Sequence, residues 1–294
     1  MIPRLNTATF STETTPRNRS SPPVVSLRMS VIQGVLLFSA IVLLSGWGFG
    51  YLLSHELKKH DGKAAPLALL CSLAAVLTPT VTAFALSSLV ERKGLLLQFR
   101  FQLSPRWIAV SIAIPLSIAL VGHIAGLVTS IHRVPAVPNF KKVSAALRLL
   151  PLALVWGLLE EIGWRGFLST RLLKLVPAAI AFPLVGLLWG LWHAPQMFTN
   201  EGLRKRFHGR ESLGAILWTG QCIALGCLLG WLQGRTGSFR YPTLAHALVN
   251  AFEKVSCGAT DNESSEMNFK WAGNIGIPAI SVSAIISILL LAWA

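Results

Sequence analysis

Six polar side chains and one tryptophan interrupt apolar stretches in the second half of the chain, and together they could hydrolyse a peptide bond. They are Glu160, Glu161, Arg165, Trp189, His193, His246 and Asn250. A peptide hydrolase must activate a water molecule, and a buried carboxylate assisted by a histidine can do so. It must also stabilise an oxyanion, to which an amide and a second histidine can donate hydrogen bonds. These residue types predict a hydrolytic site assembled from three segments.

The two adjacent carboxylates are expected to have different roles. In a helix that turns by about 100° per residue, Glu161 and Arg165 lie on one face at i and i+4 and can form an ion pair. Glu160 then points elsewhere and is left for chemistry. An ionised side chain near the bilayer centre costs roughly 3 kcal/mol or more, so such residues usually mark function. The alternative is a structural ion pair at the water interface.

The histidines lie in two short patterns with helical spacing. His193 follows Trp189 at i+4, and Asn250 follows His246 at i+4, so each pair shares a helical face. A single membrane histidine more often joins helices by a hydrogen bond than catalyses a reaction, but the combination on three segments favours a site. No His-Glu-x-x-His pair is present, and no serine or cysteine has a base beside it in sequence.

Composition indicates that a membrane helical bundle positions these residues. The chain has 294 residues, of which 53% are hydrophobic and only 13% charged, whereas soluble domains carry about 25% charged residues. Seven apolar segments approach or exceed the roughly 20 residues that cross a bilayer as a helix. They are Val31 to Leu53, Ala65 to Val90, Trp107 to Ile131, Ala145 to Ile162, Val176 to Trp192, Leu213 to Leu232 and Ala272 to Trp293.

An eighth apolar segment, Tyr241 to Phe252, is too short to cross the bilayer alone. Pro242 suits the first turn of a helix, so we expect a short helix packed within the bundle. The predicted fold class is all-α, a polytopic transmembrane bundle of about eight helices with a buried polar site. Residues 29–294 would form this domain, and residues 1–28 a disordered basic tail. The tail also resembles a transit peptide, and Met29 is an alternative start.

Charge and cysteine content narrow the partners. The formal net charge of +14 would suggest nucleic acid for a soluble protein. Here the basic residues lie in the tail and loops, so anionic lipid head groups are the expected partner and nucleic acid is not. The four cysteines have no metal-ligand spacing and are expected to be structural. They are Cys71, Cys222, Cys227 and Cys257. The even division of basic residues between the two sides leaves the orientation open.

Three patterns in order, Glu-Glu-Ile-Gly-Trp-Arg, Trp-Gly-Leu-Trp-His and His-Ala-Leu-Val-Asn, resemble the motifs of the CPBP family. This is the CAAX protease and bacteriocin-processing, or Abi, family of intramembrane endopeptidases, related to type II CAAX prenyl endopeptidases. The resemblance covers about residues 145–253. One departure is visible, because Trp189 stands where the family usually has phenylalanine.

The resemblance implies an intramembrane endopeptidase that acts on a membrane-associated peptide or protein. It implies that Glu160 activates water with His193 as its partner, and that His246 and Asn250 form the oxyanion side. Glu161 and Arg165 would support the site. No cofactor is required in the favoured mechanism, although zinc bound by Glu160, His193 and His246 is possible. The short loops are similar to those of bacterial members, so the expected location is a bacterial inner membrane.

Two other functions are compatible with the same residues. One is a non-proteolytic membrane scaffold or bacteriocin self-immunity factor that keeps the fold. The other is a proton-coupled transporter, because intramembrane acids and histidines often relay protons. Against the transporter, the sequence lacks a pair of broken segments in corresponding halves.

Overall fold

The computed structural model describes residues 24–59, 66–89, 103–128, 144, 147–199, 207, 209–259 and 277–292. Almost all of these residues are helical, and none of them lies in a strand. The eight main helices of this described part are α1 Val24–Lys59, α2 Pro66–Leu89, α3 Pro105–Val128, α4 Leu150–Glu161, α5 Ala178–His193, α6 Glu211–Thr236, α7 Arg240–Ala259 and α8 Ile277–Ala292. The predicted all-α bundle of about eight helices is therefore confirmed.

Within the described residues, five helical stretches are long and apolar enough to cross a membrane. They are Ser30–Leu57, Pro66–Leu89, Pro105–Gly122, Ala178–Thr199 and Glu211–Thr236. Many large apolar side chains on these helices face outward, among them Leu44 and Leu89, whose surfaces are 75% and 78% exposed. Buried glutamate and arginine side chains lie inside the bundle instead. This arrangement suits a lipid environment, where apolar surface faces the hydrocarbon.

Two segments differ from the lengths that apolarity alone predicted. Helix α4 begins at Leu150 and continues through a π-helical segment, Ile162–Ser169, and a last turn, Thr170–Leu172. Helix α7 runs to Ala259, beyond the predicted end at Phe252, because the end of an apolar run is not by itself a helix stop signal. Helix α8 is described over Ile277–Ala292, and the other residues of the predicted segment, 272–276 and 293, lie outside the described part of the chain.

Helices α5 and α6 pack at very close range. A Cβ atom at Gly186 would lie 2.4 Å from the backbone oxygen of Cys222, and a Cβ atom at Gly226 would lie 2.6 Å from the Cα of Gly186. Small residues let helix backbones approach in membrane bundles, where van der Waals contact rather than the hydrophobic effect drives association. This contact fixes α5, and with it the helical turn that carries Trp189 and His193.

Helix α4 is held from both sides. A Cβ atom at Gly157 would lie 3.4 Å from the backbone oxygen of Thr243 in α7. On the other side, the hydroxyl of Thr80 in α2 donates a hydrogen bond to the backbone oxygen of Leu159. Gly163, just after the two carboxylates, lies directly against Pro79 of α2. The segment with the carboxylates is thus fixed between α2 and α7.

The remaining predictions concern the tail and the cysteines. Residues 24–28, which were predicted to belong to the disordered tail, are helical in α1, and residues 1–23 lie outside the described residues. Cys71, Cys222 and Cys227 are buried free thiols. The side chain of Cys257 lies outside the described residues.

Candidate functional site

Glu161 is the centre of a buried ionic cluster. Its Oε1 accepts a hydrogen bond of 2.8 Å from Arg165 Nη1, and the same oxygen lies 2.9 Å from His246 Nδ1. The side chains of Glu161 and Arg165 are fully buried. The ion pair predicted from the i, i+4 spacing is therefore present, although the arginine stands in a π-helical turn. The cluster joins α4 to α7.

Glu160 points away from this cluster, toward α5. Its Oε2 accepts a hydrogen bond of 2.8 Å from the indole Nε1 of Trp189, and it lies 3.7 Å from His193 Nε2. The latter distance is too long for a direct hydrogen bond. The carboxylate of Glu160 is nearly fully buried, and His193 retains a small exposed fraction. The structure therefore separates the two adjacent acids as the helical geometry predicted.

Trp189 lies between the two groups. The guanidinium carbon of Arg165 lies 4.7 Å from the centroid of its ring, which is within the range of a cation–π interaction. The ring of His246 lies 5.0 Å away in an edge-to-face arrangement, and the ring of His193 lies 5.7 Å away. The indole thus contacts Glu160 directly, and it also contacts Arg165 and His246, the two partners of Glu161.

Asn250 is the sequence-predicted residue that the structure does not join to the others. It lies one turn after His246 on α7 and is half-buried. Within the described part of the chain, no hydrogen bond connects it to the carboxylates or to the histidines. The amide is near the site along the helix, but it is not bound to it.

Two further tryptophans surround His193 and were not singled out from the sequence. The ring centroids of Trp192 and Trp218 lie 4.6 Å and 5.4 Å from that of the histidine. The position of Trp192 beside the histidine was a possible sequence signal. Trp218 comes from α6, and only the close packing of α5 on α6 places it there.

The alternative metal set was Glu160, His193 and His246. Among the described residues, no group of three or more histidine, cysteine, aspartate or glutamate side chains has the proximity that a metal ion requires. His246 directs Nδ1 to Glu161 rather than to Glu160. The contact with Glu161 involves only Nδ1 of His246, so metal use stays a prediction.

Several buried polar atoms of the site have no hydrogen-bond partner among the described residues. They are Glu161 Oε2, Arg165 Nε and Nη2, Trp192 Nε1 and His193 Nδ1. Buried polar groups of native proteins nearly always bind a partner, which can be water. The site is therefore chemically suited to bind water or the polar atoms of a peptide.

A cavity of about 200 Å³ lies beside the site, between α1, α2, α4 and α5. Its lining includes Trp156, which precedes Glu160 by one helical turn, and Trp192, which contacts His193. Most of the other lining residues are apolar or glycine. A cavity of roughly 150 Å³ is large enough for benzene, so this one is large enough for an apolar side chain.

Comparison with known proteins identifies relatives of the central part of the chain. Residues 142–252 match the family described as type II CAAX prenyl endopeptidase Rce1-like. A curated relative, CAAX prenyl protease 2 from Methanococcus maripaludis, is 26% identical over 120 residues. That alignment covers 40% of this chain and 44% of the relative, so the chain spans less than half of the relative's length.

Proposed function

We propose that the protein is an intramembrane endopeptidase that uses Glu160 to activate water, because residues 142–252 match the Rce1-like family of type II CAAX prenyl endopeptidases, as the three motifs predicted. The observation that carries this proposal is the position of Glu160. Its carboxylate is buried, hydrogen-bonded to Trp189 and 3.7 Å from His193, while the neighbouring Glu161 is bound to Arg165 and His246.

The proposed reaction begins with a water molecule between Glu160 and His193. Glu160 accepts one proton from the water as the oxygen attacks the peptide carbonyl carbon. The carbon–nitrogen bond then breaks, and the proton held by Glu160 passes to the leaving amine. His193 orients the water through Nε2. General acid–base assistance of this kind contributes roughly 10²- to 10⁴-fold to the rate.

The proposed role of His246 depends on its protonation. Glu161 Oε1 is a carboxylate oxygen, so it accepts a hydrogen bond and His246 Nδ1 carries the proton. The second nitrogen, Nε2, can then donate to an oxyanion only when the imidazole is protonated. His246 would therefore stabilise the oxyanion as an imidazolium, whose Nδ1 is held in position by Glu161. The contribution of Asn250 to the oxyanion remains a prediction.

The proposed substrate is a membrane-associated peptide or protein, and lipids are the surrounding partner. The relative from Methanococcus maripaludis is a CAAX prenyl protease, which favours a prenylated protein as a second candidate substrate. The largely apolar cavity lined by Trp156 and Trp192 is compatible with an apolar side chain of the substrate in either case. Comparing a farnesylated peptide with the same unmodified peptide would distinguish the two substrates. The bacterial inner membrane remains a predicted location.

The proposal is tested with purified protein reconstituted in lipid vesicles. A library of membrane-bound peptides is incubated with the wild type, with Glu160→Gln and with Glu211→Gln, whose carboxylate lies at the start of α6 outside the site. We expect mass spectrometry to detect new peptide termini with the wild type and Glu211→Gln but not with Glu160→Gln. Equal cleavage by all three proteins would contradict the role of Glu160.

The same vesicles separate the alternatives. A scaffold or immunity factor would cleave no peptide, and replacing Glu160 would leave its cellular phenotype unchanged. A transporter would instead acidify or alkalinise the vesicle interior when the correct solute is added, and Glu160→Gln would abolish that flux. Metal dependence is tested by adding a chelator to the cleavage assay. Activity that is lost with the chelator and recovered with added metal would require a metal-dependent mechanism instead.

A further inference from the structure

Trp189 supplies a hydrogen bond that the usual residue of its motif cannot make. The family pattern has phenylalanine at this position, and a phenyl ring has no N–H group. In this chain the indole Nε1 donates to Glu160 Oε2 at 2.8 Å. Both residues are nearly fully buried, with 3% of Trp189 and 4% of Glu160 exposed. A hydrogen bond to a buried carboxylate is short and strong.

We propose that Trp189 is a positioning residue, whose indole N–H holds Glu160 Oε2 beside His193 Nε2 and so orients the carboxylate to take the proton from water. The inference rests on the proposed function of Glu160. It adds Trp189 to the reaction, because a phenylalanine at this position would have no N–H group to donate to Glu160.

The indole is itself fixed, so the direction of its N–H group is fixed. Arg165 lies over its face at 4.7 Å, and the ring of His246 packs against it at 5.0 Å. These two groups belong to the Glu161 cluster. Trp189 therefore links the position of the Glu160 carboxylate to that of the buried ionic cluster. The two acids themselves share no hydrogen bond among the described contacts.

The hydrogen bond also affects the charge of Glu160. The titratable and charged groups near this carboxylate are His193 on α5, which lies 3.7 Å from Oε2, and His246 on α7 and Arg165, which both pack against Trp189. The indole N–H is a neutral donor that stabilises the ionised form. Without it, Glu160 would take up a proton at a higher pH, and the acid limb of the pH–rate profile would move to higher pH.

The first test replaces Trp189 by phenylalanine, the usual residue of the motif, which removes the N–H group but keeps an aromatic ring. We expect kcat to fall by on the order of tenfold to a hundredfold, as is typical when a charged group loses a hydrogen bond, with KM changed by less than about twofold. We also expect the acid limb of the profile to shift upward. Trp231→Phe is the matched control, because Trp231 packs on Trp107 and lies outside the site.

A second variant separates the hydrogen bond from the shape of the side chain. Benzothienylalanine incorporated at position 189 keeps the bicyclic ring but has sulfur in place of the N–H group. It is expected to reproduce the kinetic effect of Trp189→Phe even if the phenylalanine variant folds poorly. Wild-type kcat and an unchanged profile in the benzothienyl protein would overturn the proposal, as would an effect on KM alone.

An infrared measurement keeps this test independent of the proposed activity. The carboxyl band of Glu160 is assigned by its absence in Glu160→Gln and is then titrated in the wild type and both position-189 variants. We expect protonation at higher pH in both variants. A titration identical to that of the wild type would refute the role of the indole. If the wild type cleaved no peptide, the proposed function would be refuted. The titration would still show whether the indole of Trp189 acts on Glu160.

Discussion

Replacing Glu161 by glutamine should destabilise the fold much more than the same change at Glu160. Glu161 Oε1 binds both Arg165 and His246, at 2.8 Å and 2.9 Å. Arg165 has no exposed surface, so without the carboxylate its charge would remain buried without compensation. At Glu160 the glutamine oxygen can still accept the N–H group of Trp189, and no arginine loses its partner.

The expected magnitude follows from burial. Removing one partner of a buried ion pair costs about 3–5 kcal/mol, and a domain of this size loses roughly 2–4 °C of Tm per kcal/mol. Glu161→Gln should therefore unfold on the order of 10 °C below the wild type. Glu160→Gln loses only the difference between a charged and a neutral hydrogen bond, about 1 kcal/mol.

Thermal unfolding in a mild detergent, followed by tryptophan fluorescence, measures the difference. The double variant Glu161→Gln with Arg165→Gln removes the uncompensated charge and should recover part of the lost stability. Equal Tm losses for the two single glutamine variants would refute the reasoning. A double variant that loses the sum of its single effects would also contradict the ion pair.

Two further predictions concern the helix contact and the cavity. Gly186→Leu should lower the free energy of unfolding by about 1–3 kcal/mol or more, because its Cβ atom would meet the backbone of Cys222 at 2.4 Å. Gly48→Ala is the control, since no heavy atom lies within 4 Å of the added Cβ. Ala75→Phe should fill the cavity, raise KM several-fold for peptides with a bulky apolar residue and spare peptides with a small one. Equal KM changes for both peptides would contradict a substrate role of the cavity.

Much of the site geometry follows from helical spacing. The i, i+4 relation of Glu161 and Arg165 predicts their ion pair, and it also predicts that Glu160 faces a different helix. The length of the apolar segments predicts helices whose leucine and isoleucine side chains face outward. This follows because only helices and closed barrels satisfy all backbone hydrogen bonds inside a membrane. These features depend on local periodicity, which the sequence contains directly.

Other features depend on contacts between distant helices. Spacing on α7 pairs His246 with Asn250, whereas the structure directs His246 to Glu161 on α4. The hydrogen bond from Trp189 requires the position of α5, which the glycine contact with α6 fixes. Arg171 lies in a basic stretch that suggests a loop, yet it is fully buried and its Nη2 donates to Ser87 Oγ of α2. Single-sequence patterns do not encode such interhelical distances.

The most direct measurement of the central claim is the rate of peptide hydrolysis per folded molecule in the wild type and in Glu160→Gln, each with and without a chelator. If Glu160 activates the water, the variant remains folded and its rate falls by at least about 10²-fold, and the chelator leaves the wild-type rate unchanged. A Glu160→Gln protein that hydrolyses peptides at the wild-type rate would contradict the claim.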